Sequence, residues 1–186
     1  MKKIIEKYKK DVVELTRELI RFDSSLKPAE VGYPFGRECG ECLEHFLAHA
    51  ESLGFKTKNY DNYIGEVIWG EGEPFAILCH LDVVPAGDGW THPPFAAEMS
   101  DELSAGGTSG MKIWGRGAVD DKAPAAVILY AMKALKDTGF RPKRCFKLIL
   151  GCNEEAGWAC IDHYNECATM PDEGFTPDAD FPVIYR

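Results

Sequence analysis

The sequence lacks an uninterrupted apolar stretch that could cross a bilayer. Its longest apolar run, residues 123–132, includes Pro124 and is far shorter than the roughly 18 residues that a spanning helix needs. The N-terminal segment is no secretory signal either, because Glu6, Lys7 and Asp11 interrupt any apolar stretch. We therefore expect no membrane partner and a location in the cytoplasm.

Positive charge is scarce as well. The 186 residues include 21 Lys and Arg against 30 Asp and Glu, which gives a net charge of −9. A phosphate backbone is bound by clustered cations, so we expect no nucleic-acid partner. The chain has neither internal repeats nor low-complexity segments, and its 45% of apolar residues exclude wholesale disorder.

Cysteine occurs seven times, and an odd number does not fit a disulfide framework. We therefore expect free thiols. Four residues, Cys39, Cys42, His45 and His49, have the spacing of a zinc motif. They lie on one predicted helix, however, where they cannot all converge tetrahedrally on one ion, so we do not assign a site to them.

Apolar periodicity predicts the regular elements of the fold. Recurrence every three or four residues indicates helices over about residues 4–20, 37–53, 121–138 and 158–167, the third nearly apolar all round and so buried. Short apolar runs between turn signals indicate strands over about 55–59, 63–69, 75–79, 112–114 and 145–152, a loop over 84–110 and a last strand beginning near 183. This alternation favours a layered α/β domain with a mostly parallel central sheet.

Polar clusters follow two of these strands directly. Residues 80–82 come after the strand over 75–79, and residues 153–155 come at the end of the next long strand. Two further acidic clusters occupy residues 120–122 and 178–180. Ligands bind at the carboxyl edge of open α/β sheets, so we expect these side chains to lie near a functional site.

Each cluster has a simpler structural explanation when it is taken alone. His80 can sit in a hydrogen-bonded turn at its strand end. Asp120 or Asp121 can cap the helix that follows, and residues 154–155 can open a helix in the same way. Asp178 can be a turn residue beside Pro177. These structural explanations are weaker when the four clusters are considered together, because carboxylates that converge repel one another and need protons or a cation. One or two zinc ions, which accept imidazole and carboxylate ligands, would meet this need.

Four motifs in order, HLDVVPAGDGW (80–90), GRGAVDDKAP (115–124), NEEAGW (153–158) and TPDADFPVI (176–184), resemble a known enzyme family. It is the co-catalytic zinc peptidase family that includes aminoacylase, carboxypeptidase and succinyl-diaminopimelate desuccinylase. WTHPPF (90–95) and PDADFPVI resemble its bacterial Xaa-His, or carnosinase-like, dipeptidases in particular. The resemblance implies a three-layer zinc-peptidase catalytic domain that hydrolyses the amide bond of dipeptides.

The resemblance also implies a role for each candidate residue. His80 and Asp178 would bind a first Zn²⁺, Glu155 would bind a second, and Asp120 would bridge the two. Asp82 would hydrogen-bond His80 and fix its tautomer. A further implication is a cis peptide bond between Asp120 and Asp121.

Glu154 is the general base that the resemblance implies. It would take a proton from a water held by the zinc ions, which attacks the scissile carbonyl, and would pass that proton to the leaving amine.

Family members are more than twice as long as this chain and contain a lid domain. Their second zinc also takes a histidine from a later stretch, whereas no histidine follows His163 here. The resemblance therefore implies that residues 1–186 are the N-terminal part of the catalytic domain, an incomplete fragment without the lid and the C-terminal part. The second zinc site would then lack its histidine, and edges left uncovered would favour self-association.

Two alternatives stay open at this stage. The substrate can be a dipeptide or a small N-acyl amino acid, since a deacylase or desuccinylase of the same family would carry the same motifs. The chain can also be a non-catalytic zinc-binding fragment that needs a partner chain.

Overall fold

The computed structural model describes residues 2–101 and 110–178, which contain four helices and seven strands. The helices are α1 (Lys2–Ile20), α2 (Arg37–Ser52), α3 (Lys122–Asp137) and α4 (Ala159–Cys167). The strands are β1 (Lys56–Tyr60), β2 (Ile64–Trp69), β3 (Pro74–His80), β4 (Glu98–Ser100), β5 (Lys112–Trp114), β6 (Cys145–Gly151) and β7 (Gly174–Phe175). The strand expected near residue 183 lies outside the described residues.

A five-stranded sheet with the order β1-β2-β6-β3-β7 forms the centre of the described part. The pairs β6–β3 and β3–β7 are parallel, whereas β2 is antiparallel to both β1 and β6. Four of these five strands therefore run in one direction, which confirms the mostly parallel α/β sheet expected from the sequence. The segment 84–110 is not loop throughout, since β4 lies in it and pairs with β5 in a separate hairpin-like sheet.

Helices cover the two faces of the sheet, so the domain has three layers. At Gly65 in β2, a Cβ atom would lie 2.8 Å from Cδ1 of Leu43, which shows how closely α2 packs on that face. The next residue, Glu66, points to the opposite face, where it accepts a hydrogen bond from Tyr164 of α4. Lys147 Nζ, 2.8 Å from the buried Glu66 carboxylate, compensates its charge.

The helices α1 and α3 lie on the same side as α2. The rings of Tyr8 in α1 and Tyr130 in α3 are 5.6 Å apart, and the Tyr130 hydroxyl lies 2.9 Å from Nε2 of His49 in α2. His45 lies 3.0 Å from the Glu18 carboxylate of α1 instead. The two histidines of α2 thus face different helices and do not converge on one point.

The core follows the apolar pattern of the sequence. Leu148, Ile149 and Leu150 of β6 are all fully buried, as expected for a strand with both faces covered. The helix α3 is less enclosed than expected, since Val127 is 49% exposed. All seven cysteines are free thiols, as predicted. In the described part of the chain, no helix has the length and hydropathy that a membrane span requires.

The core of α3 gives a test of this packing. Leu129 is fully buried, and we expect Leu129→Ala to lower the free energy of unfolding by about 2–5 kcal/mol, because it leaves a cavity. The matched control, Val127→Ala on the exposed side of the same helix, should change it by no more than about 0.5 kcal/mol. Urea titration followed by circular dichroism measures both, and equal losses would contradict the packing described.

Candidate active site

The parallel pairing of β3 with β6 brings two of the predicted clusters together. His80 lies opposite Gly151, so the polar residues that follow each strand emerge at the same edge of the sheet. His80 is buried, and its Nδ1 lies 3.0 Å from the backbone oxygen of Asp82. A carbonyl oxygen only accepts hydrogen bonds, so Nδ1 carries a proton, and Nε2 is the ring nitrogen that faces the site.

The Asp82 carboxylate holds the segment that follows β6. Its two oxygens accept the backbone N–H groups of Glu154 and Glu155, each at 3.0 Å. Its Oδ1 is 3.5 Å from Nδ1 of His80, farther than the backbone oxygen of the same residue. The tautomer of His80 is therefore set chiefly by the main chain at Asp82, while the carboxylate positions the two glutamates.

Of the two acidic residues that precede α3, Asp121 lies in the protein interior and Asp120 faces the site. The peptide bond between Asp120 and Asp121 is cis, as the resemblance implied. Asp121 is fully buried, and its Oδ2 accepts the backbone N–H of His80 at 3.1 Å. Asp121 occupies the N-cap position of α3, but its side chain makes no capping hydrogen bond. The capping explanation is therefore wrong for this side chain.

Lys122, the next residue, has a role that the sequence analysis missed. It is fully buried, and its Nζ donates hydrogen bonds to the backbone oxygens of Leu19, at 2.9 Å, and Phe22, at 2.8 Å. These carbonyls lie at the C-terminal end of α1, where the helix dipole favours a cation. The detectable signal was a lysine directly before the apolar run of this helix, which has no other charged residue until Lys133.

Three carboxylates lie close to Nε2 of His80. The nearest oxygens lie at 2.9 Å in Asp120, 3.4 Å in Asp178 and 3.8 Å in Glu154. Ligand atoms of His80, Asp120 and Asp178 fall within 4.8 Å of one another, and so do those of His80, Glu154 and Glu155. The structure thus brings together all five residues that the sequence offered as metal ligands or general base.

Glu154 and Glu155 do not open a helix, because α4 begins later, at Ala159. It is Asn153 that serves the helix, since its Oδ1 accepts the backbone N–H of Ala159 at 3.0 Å. The two glutamate side chains are therefore left for the site. Asp178 lies in a turn, as the simpler explanation had it, with its backbone N–H donating to Thr176 Oγ1 at 3.1 Å, and its carboxylate also faces His80.

The site as folded favours positive charge. Burial opposes protonation of His80, but Asp82, Asp121 and Asp120 outweigh it and raise the pKa of the imidazole to about 10. Burial also raises the pKa of the Asp121 carboxyl to about 7, against the lowering effect of His80. The surroundings of Nε2 thus stabilise a cation at that position.

The two glutamates show the same excess of negative charge. Burial raises the pKa of Glu154, and Asp178, Asp82 and Asp120 raise it further, against the lowering effect of His80. Burial also raises the pKa of Glu155, with Asp120 as the next cause. Carboxylates that disfavour one another's ionisation in this way are compensated when a divalent cation binds among them.

The residues of the site fit a metal ion. Nε2 of His80 is buried and forms no hydrogen bond of good geometry within the described residues. One neutral imidazole nitrogen and several carboxylate oxygens form a donor set typical of zinc sites. The described residues therefore provide a candidate metal centre at the carboxyl edge of the sheet.

Solved structures with the same fold are peptidases. The chain matches human carnosine dipeptidase 1 with a TM-score of 0.74 and 20% identity, over 96% of this chain and 41% of that one. It matches the di-peptidase Dug1p from Saccharomyces cerevisiae with a TM-score of 0.68 and 19% identity, over 89% of this chain and 36% of that one. At these identities the likeness establishes the fold.

Sequence comparison gives nearer relatives. The chain is 41% identical over 179 residues to the putative dipeptidase YtjP of Bacillus subtilis, covering 95% of this chain and 37% of that protein. It is 40% identical over 186 residues to a Beta-Ala-Xaa dipeptidase of Lactobacillus delbrueckii subsp. lactis, covering 98% of this chain and 38% of that protein. The chain thus spans less than two fifths of the length of these relatives.

The family model described as peptidase family M20/M25/M40 matches residues 76–185, which include every residue of the candidate metal centre. This match confirms the resemblance that the four motifs indicated, and the chain belongs to the M20/M25/M40 peptidase family.

Proposed function

We propose that the protein is a zinc-dependent dipeptidase whose catalytic centre is the cluster around His80. The observation that carries the proposal is the convergence of three carboxylate side chains within 3.8 Å of one buried imidazole nitrogen. The names of the relatives support dipeptides as the substrate class. Because the chain spans 37–38% of those relatives, the activity is proposed for the protein to which these residues belong.

The ligands divide between two ions in this proposal. His80 and Asp178 would hold the first Zn²⁺, Asp120 would be shared by both ions, and Glu155 would hold the second, for which the described residues supply no histidine of its own. We propose that the second ion takes its remaining ligand from a part of the protein outside residues 1–186. When bound, zinc supplies a Lewis acid that polarises the substrate carbonyl and lowers the pKa of a water.

Glu154 acts as the general base. Its position is fixed by the hydrogen bond from its backbone N–H to Asp82, while its side chain faces the cluster. The raised pKa of Glu154 makes its carboxylate a stronger proton acceptor than an exposed glutamate. It takes the proton of the attacking water and delivers it to the amine that leaves when the amide bond breaks.

The first test of this role is Glu154→Gln. We expect kcat for a panel of dipeptides, β-alanyl dipeptides among them, to fall by about 10²–10⁴, because the amide cannot accept the proton. Zinc content, measured by atomic emission, should stay close to that of the unsubstituted protein. Glu71→Gln, an exposed position in the turn between β2 and β3, is the matched control and should keep full activity.

Activity that survives Glu154→Gln would overturn the role of Glu154. Hydrolysis of N-acyl amino acids in preference to every dipeptide would keep the metal chemistry but replace the substrate class.

A second test concerns Asp82. Asp82→Asn leaves one acceptor oxygen for two backbone N–H groups, so we expect the free energy of unfolding to fall by about 1–3 kcal/mol. We also expect zinc affinity to fall by about 10–100-fold, because the substituted side chain can position only one of residues 154 and 155 and no longer places a negative charge beside His80. Asp88→Asn, in an exposed loop, is the control. Unchanged zinc affinity in Asp82→Asn would show that the carboxylate does not position the site.

A further inference from the structure

A second group of potential ligands lies away from the cluster around His80. Asp61, in the turn between β1 and β2, and His163 and Cys167, both on α4, place their ligand atoms within 4.8 Å of one another. Nε2 of His163 lies 3.0 Å from Oδ2 of Asp61 and 3.6 Å from Sγ of Cys167. One histidine nitrogen thus faces both a carboxylate and a thiol.

These separations match the edges of a tetrahedral zinc site. With Zn–N and Zn–O near 2.0 Å and Zn–S near 2.3 Å, tetrahedral angles place N and O about 3.3 Å apart and N and S about 3.5 Å apart. Both distances in the structure fall within about 0.3 Å of these values. Two of the three ligand pairs therefore already have the spacing of such a site, and the third pair, Asp61 and Cys167, lies within 4.8 Å.

The fold places the three residues next to one another. His163 and Cys167 are four residues apart, so they share one face of α4. The His163 ring stacks on Tyr63, with centroids 4.1 Å apart and an interplanar angle of 22°. The turn that carries Asp61 is closed by the Asn62 backbone N–H, which donates to Asn59 Oδ1 at 2.9 Å. The His163 ring and the backbone of the turn are therefore in place before an ion binds, and binding orders the exposed side chains of Asp61 and Cys167.

The surroundings favour a cation. The helix α4 carries Asp162 and Glu166 but neither lysine nor arginine, and Cys167 is its last residue, at the negative end of the helix dipole. The side chain of Asp61 is 77% exposed and Cys167 is exposed too, so solvent reaches the remaining coordination position.

We propose that Asp61, His163 and Cys167 form a metal site for a thiophilic divalent cation of the zinc type, separate from the cluster around His80. The thiol of Cys167 loses its proton to solvent when the ion binds, and the fourth position is taken by water. The ion joins α4 to the turn between β1 and β2. That turn leads into Tyr63, whose backbone oxygen accepts the N–H of Cys152, two residues before Glu154.

Cobalt(II) distinguishes this site from the other. The cluster around His80 offers only nitrogen and oxygen donors, so a thiolate-to-cobalt charge-transfer band in the near ultraviolet reports a cysteine ligand alone. We expect the band to appear on titration with CoCl₂, to be lost in Cys167→Ser, and to persist in Cys145→Ser. Cys145 is a free thiol at the start of β6, at the opposite end of the strand from the active-site edge.

The other two ligands are tested in the same way. Asp61→Asn and His163→Gln should each raise the cobalt concentration needed for half-saturation of the band. A band of equal strength in Cys167→Ser, or none in the unsubstituted protein, would overturn the proposal.

A second measurement needs no substitution. Zn²⁺ bound at this site should slow the alkylation of Cys167 by iodoacetamide, followed by mass spectrometry of the peptide that contains it. Equal alkylation rates with and without zinc would overturn the proposal, whether or not dipeptide hydrolysis is observed.

Discussion

The parallel register of β3 against β6 is the constraint on which the site depends. Because His80 stands opposite Gly151, the residues that leave both strands meet over one edge of the sheet. β7 pairs with β3 in the same direction and leads to Asp178. A shift of β3 by one residue would turn His80 to the other face, since side chains alternate along a strand. The second half of β6, where Leu148, Ile149 and Leu150 are fully buried, keeps that register.

The charge arrangement around His80 is costly without a counter-ion. Asp121 and Asp82 are both buried. Asp121 accepts a hydrogen bond from the backbone N–H of His80, and Asp82 accepts hydrogen bonds from the backbone N–H groups of residues 154–155. Their negative charge is not neutralised by arginine or lysine in the described contacts of the cluster. The raised pKa values of His80 and Glu154 express the same imbalance, which a divalent cation relieves.

The sequence predicted much of this architecture, and it did so where a pattern is local. Periodicity placed the helices and the long strands, and the four motifs marked the residues that meet at His80. It did not reveal the function of Asp121, because an acid before a helix looks the same whether it caps that helix or binds a distant N–H. The group formed by Asp61 and His163 was invisible for a related reason. These residues are 102 positions apart, and only the packing of α4 on the sheet joins them.

Lys122 connects the start of α3 to the end of α1, although the two helices are far apart in the sequence. Its ammonium is satisfied by the carbonyl oxygens of Leu19 and Phe22, and it immediately follows the cis-linked acid pair. A shorter version of the protein that began after Phe22 would remove both acceptors of this buried ammonium, and leaving a buried cation without its partners costs several kcal/mol. The smallest unit able to hold the metal centre thus includes the first two dozen residues, although none of them touches the cluster around His80.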